Sequence, residues 1–459
     1  MYQIHFDTPI HIFFCGIGGI SMSGLAEVLL DKRFQVSGSD MKGSSLTDSL
    51  TQKGATVYIG QKAENISTAI DCIVFTSAIH PDNPEYIQAK AFGIPMLTRA
   101  ELLGQMMKNY ACPIAISGTH GKTTTTSMLS EILLSADLDP TLSIGGILTK
   151  IGGNIRVGNS EYFVTEACEY TNSFLSFYPK ISVILNIEED HMDFFKDIHD
   201  IRASFHTFAK LLPSDGLLVI NSDIESYEEI TQDLECRVVT VGSTFDADYH
   251  PICLSANEKA CMAGTIQTPQ NGIYDLTLAA PGMHNLYNAL AAIAVADYLH
   301  ISPSIITKAL SEFTGSKRRF ELKGTLAGIT IIDDYAHHPT EITATLMATR
   351  NYPHREVWCV FQPHTYTRTK AFLDDFAKAL SLADHIILSD IYPARETDTL
   401  GISSKDLQLK IEALGKTCYH FGSFGEIETF ILENCIHGDM LITMGAGDVV
   451  TIGDKLLGL

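Results

Sequence analysis

The chain has 459 residues, 45% hydrophobic and 19% charged, which supplies large buried cores and excludes a disordered tail or a small disulfide scaffold. Its 32 basic against 54 acidic residues give a formal net charge of −22. Such a surface repels phosphate polymers, so no nucleic-acid binding is expected and any bound phosphate must be held by local chemistry.

At about 150 residues per domain the length predicts roughly three domains. No apolar run approaches the ~18 residues of a membrane span, and the first residues lack the basic flank and apolar core of a secretory signal. No membrane insertion is expected, and a cytoplasmic location is. The ten cysteines are scattered without a Cys-x-x-Cys pair and read as reduced core thiols.

The first segment, IHIFFCGIGGISMSGLAEVLLDKRFQVSGSD, reads as strand, glycine turn, helix and strand, the opening of a doubly wound sheet. DCIVFTSAI and GIPMLTRAELL continue that rhythm and close a first unit of residues 1–106. CPIAISGTHGKTTTTSMLSEILLSA starts a second unit, 107–314, with strands predicted at EYFVTEA, KISVILNI and GLLVI and a helix at HNLYNALAAIAVADYL. Thr240 to Ala280 reads as β-rich connections. In the third unit, 315–459, GITIIDDYAHHP, EVWCVFQPH, HIILSDIYPA and DMLITMGAG are apolar strands ending in polar residues. The fold class is α/β, three consecutive α/β domains. In each unit the unusual residues follow the apolar runs, where open α/β sheets bind ligands, so one composite cleft is predicted.

Gly16, Gly18 and Gly19 resemble a dinucleotide fingerprint, but Ser21 stands where its third glycine belongs. Ser39 and Asp40 end the next strand, and Asp40 is placed to take a ribose hydroxyl. NAD, another nucleotide diphosphate and a structural tight turn are all compatible with this pattern. Gly118, Thr119, His120, Gly121, Lys122, Thr123 and Thr124 carry more: a strand, a glycine turn, a lysine for terminal phosphates, a hydroxyl for Mg²⁺ and a helix N-terminus. The loop is shorter than a common P-loop, which points to a separate ATPase class; the bland reading is a solvated Thr-rich helix start.

Glu166 and Glu169 close one strand, and Glu188, Glu189, Asp190, His191 and Asp193 close another. Beside a phosphate loop such carboxylates suit Mg²⁺, although acidic strand ends are often solvated turns and His191 alone could be a core histidine. Asn285 and Asn288 share one helix face, fit to read an adenine edge or to cap the helix. In the third unit Arg318, Arg319, Asp333, Asp334, His337, His338, Glu341, His364, Arg368 and Arg395 stand at successive strand ends. In an acidic protein that concentration predicts a carboxylate and phosphate site, against scattered surface salt bridges.

Nearly end to end, GIGGISMSGLAE, GSD, TSAI, TRAELL, GTHGKTTTTS, NIEEDHMD, PGMHNLYNALAA, KRRFE, DDYAHHPTE, FQPHTYTRT, DIYPARE and MGAGD resemble the Mur ligase family, in its alanine-adding branch. The resemblance implies a Rossmann-like nucleotide-sugar domain, a P-loop ATPase-like central domain and a Rossmann-like amino-acid domain. It implies an enzyme that joins L-alanine to UDP-N-acetylmuramate for peptidoglycan through an acyl phosphate, using ATP and Mg²⁺, as monomer or dimer.

Carried over by motif, Gly16, Gly18, Gly19, Ser39 and Asp40 would hold the UDP-sugar. Gly118 to Thr124, Asn285, Asn288, Arg319 and Asp333 would hold ATP, and Thr123, Glu166 and His191 the metal. His338, His364, Arg368 and Arg395 would line the amino-acid side, with Lys122, His191, His338 and Arg368 as the catalytic set. Two departures stand out. Cys168 and Thr171 replace acidic residues common in the family, and Ile201-Arg202-Ala203-Ser204-Phe205 lacks the lysine that relatives adding later amino acids carbamylate. The competing readings are a recycling ligase for an intact tripeptide, a non-catalytic nucleotide sensor, and an NAD-dependent dehydrogenase.

Overall fold

The computed structural model describes residues 2–76, 79–394 and 396–459. Four sheets follow in chain order. In the first, β1 (His11–Cys15), β2 (Gln35–Asp40), β3 (Thr56–Ile59), β4 (Cys72–Phe75) and β5 (Met96–Thr98) lie in the order β3-β2-β1-β4-β5. All neighbours are parallel. β1 and β4 are apolar almost throughout because helices cover both faces of such a sheet.

The central sheet takes β6 (Cys112–Ser117), β7 (Thr141–Leu148), β8 (Gly153–Arg156), β9 (Tyr162–Ala167), β10 (Ile181–Ile184), β11 (Leu217–Asn221) and β12 (Arg237–Val241). Their order is β12-β11-β10-β6-β9-β7-β8, parallel except for the β7–β8 pair. β13 (His250–Ala256), β14 (Cys261–Thr268) and β15 (Gly272–Pro281) form an antiparallel sheet of their own, matching the β-rich stretch expected at 240–280.

The last sheet runs β16-β17-β21-β18-β19-β20, from β16 (Glu321–Leu326), β17 (Ile329–Asp334), β18 (Val357–Phe361), β19 (His385–Leu388), β20 (Cys418–His420) and β21 (Met440–Met444). Only β16 is antiparallel to its neighbour. The chain is thus α/β with three successive open, mainly parallel sheets.

The first two sheets share one apolar core, which runs from Phe14 and Leu25 through Leu103 and Met107 to Phe163, Phe174 and Phe208. Backbones meet at that junction. A Cβ on Gly104, in helix Arg99–Met107, would lie 1.9 Å from the Ser176 carbonyl oxygen, so only glycine fits there. The clusters of the third sheet are almost wholly its own. Its contacts with the central unit are largely polar and converge on the site. All ten cysteines are free thiols, and among the described residues no helix is long and apolar enough to cross a membrane.

Candidate active site

The centre is the turn from β6 into helix Lys122–Ser135. Gly118 has φ +137° and Gly121 φ +82°, conformations that suit glycine. A Cβ on Gly121 would stand 2.5 Å from the Asn288 side-chain oxygen, and one on Gly118 would crowd Leu185 and Asn186. Asn186 fixes the loop: its Oδ1 accepts from His120 N (2.7 Å) and its backbone oxygen from Thr119 N (3.1 Å). The first-turn amides that follow have no helical acceptors and point at the cleft as an anion site.

Lys122 folds back over the loop, donating to the carbonyls of Gly118 and Thr119 and to Glu169 Oε2 at 3.1 Å. Burial alone would lower its pKa, but the Glu169 carboxylate outweighs burial, so the ammonium stays charged. Glu166 accepts from Gly145 N at 2.5 Å. Arg319 reaches across from the third unit with Nη2 3.5 Å from Thr123 Oγ1.

His191 has φ +54°, a strained conformation for a histidine, and stacks on Tyr170 with ring centroids 4.4 Å apart. Its Nε2 lies 3.8 Å from Asp190 and 4.0 Å from Glu169. Burial lowers its pKa, so the ring is neutral and keeps a lone pair for a cation. Among the described residues, no hydrogen bond or ion pair joins His191 to Thr123 or Glu166. A hydroxyl, two glutamates and a neutral imidazole are a donor set that fits Mg²⁺.

One cavity is lined by Gly121, Thr124, Asn285, Asn288, Arg319 and Asp334. Asn288 Nδ2 donates to Asn285 Oδ1 (3.1 Å), and Asn285 Nδ2 to the Pro281 carbonyl (2.7 Å), so the amides brace each other and the cradle as well as facing the cavity. Asp333 does not line it. Its carboxylate is fully buried on the other side of β17, taking Arg318 Nε at 2.9 Å and Thr443 Oγ1 at 2.7 Å. Strand alternation puts its neighbour Asp334 on the cavity instead, where burial raises that carboxyl to about 6.

A second cavity is lined by Tyr170, His191, His364, Thr367, Arg368 and Glu396, among others. Here Arg368 is already engaged: Nε and Nη2 grip Asp190 at 3.1 and 2.9 Å. His364 lies beside it, Nδ1 3.4 Å from Nη1. Glu396 caps the helix Tyr366–Ala371 through Tyr366 N at 2.7 Å. Arg395, read from the sequence as an amino-acid ligand, lies outside the described residues, as do Ser77 and Ala78 of TSAI.

At the wall of the first cavity the central and third units are clasped. His120 sets Nδ1 3.2 Å from Glu341 and Nε2 3.4 Å from Glu188. Burial lowers its pKa, but the two carboxylates outweigh burial and raise it to about 9, leaving an imidazolium. Thr340 Oγ1 donates to Glu188 at 2.6 Å. His338 donates from Nε2 to the Glu189 carbonyl (3.1 Å) and accepts the Thr340 amide at Nδ1 (3.3 Å). Ligand atoms of His120, Glu188 and His338 lie within 4.8 Å of one another. Yet His338 has spent both nitrogens and His120 is protonated, so this is a hydrogen-bonded joint and not a metal cage. The composite cleft expected from the sequence takes the form of two cavities, each lined by residues of the central and third units.

On the first sheet, Gly16 has φ +87°, and Gly18 N donates to Asp40 Oδ2 at 2.9 Å. Ser39 turns inward onto Glu85, a fully buried carboxylate that also takes Cys15 Sγ and Asn65 Nδ2. Sequence reasoning missed Glu85, a lone polar residue outside any dense motif, and Asn186, which opens the quoted NIEEDHMD. It read Glu169 and Asp190 as candidate metal carboxylates and Glu341 as part of the third-unit cluster, without their pairing to Lys122, Arg368 and His120.

Three family models cover the chain: Mur ligase family, catalytic domain (residues 11–111), Mur ligase middle domain (116–296) and Mur ligase, glutamate ligase domain (318–447). The chain belongs to the Mur ligase family. It is 57% identical over 458 residues, all of both chains, to the UDP-N-acetylmuramate–L-alanine ligase of Lachnospira eligens. Among solved structures it resembles the UDP-N-acetylmuramate–alanine ligase of Thermotoga maritima, with TM-score 0.81, 28% identity and 98% of each chain covered. It also resembles a murein peptide ligase of Psychrobacter arcticus, with TM-score 0.73, 27% identity and 98% of each chain covered.

Proposed function

We propose that this protein is the ligase that joins L-alanine to the lactyl carboxylate of UDP-N-acetylmuramate in peptidoglycan precursor synthesis, through an acyl phosphate. The observation that carries the reading is the buried Lys122–Glu169 cradle in a chain similar over its full length to alanine-adding relatives. In this reading residues 1–106 bind the nucleotide sugar, 107–314 ATP and 315–459 the amino acid. ATP with Mg²⁺ supplies the phosphoryl group that activates the carboxylate; Gly118 to Thr124 would hold its phosphates, and Thr123, Glu166, Glu169 and His191 the metal.

A carboxylate does not acylate an amine unaided, so the protein's part is to position and to neutralise charge. Lys122 is preset by two carbonyls and Glu169, so it meets a transferring phosphoryl group without reorganising. Arg319 offers a second cation from across the cleft. The cavity bounded by His191, His364 and Arg368 is placed for the small amino acid, and closing the third unit over it excludes water.

The test is phosphate release from ATP and Mg²⁺ with UDP-N-acetylmuramate and either L-alanine, the L-alanyl-D-glutamyl-diaminopimelate tripeptide or no acceptor. Release with alanine alone is expected. Release with the tripeptide alone overturns the alanine assignment, and silence with every acceptor overturns the ligase.

A further inference from the structure

Arg99 is the first residue after β5, opening helix Arg99–Met107. It therefore sits on the carboxyl edge of the first parallel sheet, the edge that carries Gly16 and Asp40. Its side chain is half-buried. Half-buried Arg156, Arg202, Arg318, Arg319 and Arg368 each have a carboxylate within ion-pair distance. Arg99 has no hydrogen-bond or ion-pair partner among the described residues. Withdrawing a guanidinium from water without an acceptor is costly, so such a group is suited to an anion that arrives with a ligand.

Its surroundings indicate which anion. The helix it opens packs backbone to backbone on the segment after Glu169, at Gly104 and Ser176, and Arg99 lies within electrostatic reach of Cys168. Cys168 in turn feels Lys122 and adjoins Glu169, the carboxylate on that lysine. Cys168 is a free thiol, and among the described residues no carboxylate lies within ion-pair distance of the arginine. Arg99 is thus a first-unit cation beside the phosphate cradle. A ligand anchored at Gly16 and Asp40 with its diphosphate has left that charge behind by the time it reaches Lys122. The anion it presents there is the group to be activated.

We propose that Arg99 grips the lactyl carboxylate of the nucleotide sugar and aims it at the Lys122 cradle, an assignment that rests on the ligase reading above. The guanidinium fork fixes the plane of a carboxylate and offsets its repulsion from the phosphates. Arg99 then makes the first unit selective for a muramyl over a glucosaminyl nucleotide.

The experiment measures binding of UDP-N-acetylmuramate and of UDP-N-acetylglucosamine, which lacks only the lactyl ether, to wild-type protein and Arg99→Gln without ATP. Wild type is expected to prefer the muramyl nucleotide by at least about tenfold, and Arg99→Gln to cut that preference to within about threefold. Equal loss for both nucleotides, or none for either, overturns the assignment, as does a wild type that binds the two equally. Wild-type protein that binds neither removes the ligase reading itself. Should Arg99→Gln unfold, Arg99→Met carries the test; it keeps the apolar stem and removes only the guanidinium, and the same collapse of preference is expected, whereas an unchanged preference overturns the assignment.

Discussion

Arg368 holds Asp190 with three nitrogen–oxygen contacts of 2.9 to 3.2 Å, the two side chains only 10% and 9% exposed, and so ties the third sheet to the end of the central one. Burial would raise the Asp190 carboxyl, but the guanidinium holds it well below the usual carboxylate range. Both residues line the second cavity. Breaking one partner of a buried pair costs roughly 3–5 kcal/mol, drawn here from domain closure. Asp190→Ala is therefore expected to lower kcat/KM for the amino acid by at least about a hundredfold while leaving nucleotide-sugar affinity within about threefold. Small-angle scattering should show a more open chain; an unchanged profile with normal kinetics would sink the closure role.

The His120 clasp gives a pH dependence with a definite sign. Its folded pKa of about 9 lies above the ordinary histidine value of about 6.5, because Glu188 and Glu341 stabilise the imidazolium. The contribution to docking is whole below about 6.5 and is lost as pH rises through 9. Thermal stability should fall between pH 7 and 9.5 by about 2–4 °C for each kcal/mol lost, and His120→Asn should flatten that fall. An equally steep fall in the variant would place the titration elsewhere.

Lys122 and Gly121 test the cradle separately. Lys122→Ala should abolish ATP-dependent turnover with nucleotide-sugar binding intact; turnover persisting within about tenfold, ~1.4 kcal/mol, would refute the role. Gly121→Ala must accommodate a Cβ 2.5 Å from Asn288 at φ +82°. Its ATP affinity should fall by about tenfold or more, and Asn288→Ala in the same chain should recover part of the loss by removing the clash.

Asp333 and Asp334 are neighbours with opposite work. Asp333→Ala removes the carboxylate from Arg318, leaving it the Gly445 and Gly447 carbonyls, and should destabilise the third unit by up to about 3–5 kcal/mol, read by denaturant unfolding, while the folded fraction keeps its KM for ATP. Asp334→Asn should instead raise that KM. Reversed phenotypes would mean that β17 presents its other face to the nucleotide.

That adjacent pair shows how far the sequence was legible. Three α/β units, the glycine turns and the cradle lysine were plain, because each motif is local: an apolar run, a turn and a helix start. Asp333, read as a nucleotide residue, turns away from the first cavity, because a strand's facing is set by its register with β16 and β21, which no local pattern carries. Glu85 and Asn186 escaped for a similar reason. Their partners are 20 to 70 positions away, and no local pattern carries such a pairing. Arg368 was legible as a site residue, but its engagement by Asp190, 178 positions off, emerges only when two sheets meet.

The continuous apolar core beneath the first two sheets, with the Gly104–Ser176 contact inside it, makes them behave as one body. Oil-like interfaces do not come apart and re-form cheaply, whereas carboxylates, imidazoles and guanidinium groups rehydrate when they separate. The spacing between the Gly16 turn and Lys122 is accordingly held by that shared core. The third sheet, by contrast, meets the central unit at the site through polar groups able to trade each other for water. A compound that stiffens the first junction would find nothing to arrest, and one wedged between His120 and Glu341 would hold the enzyme open.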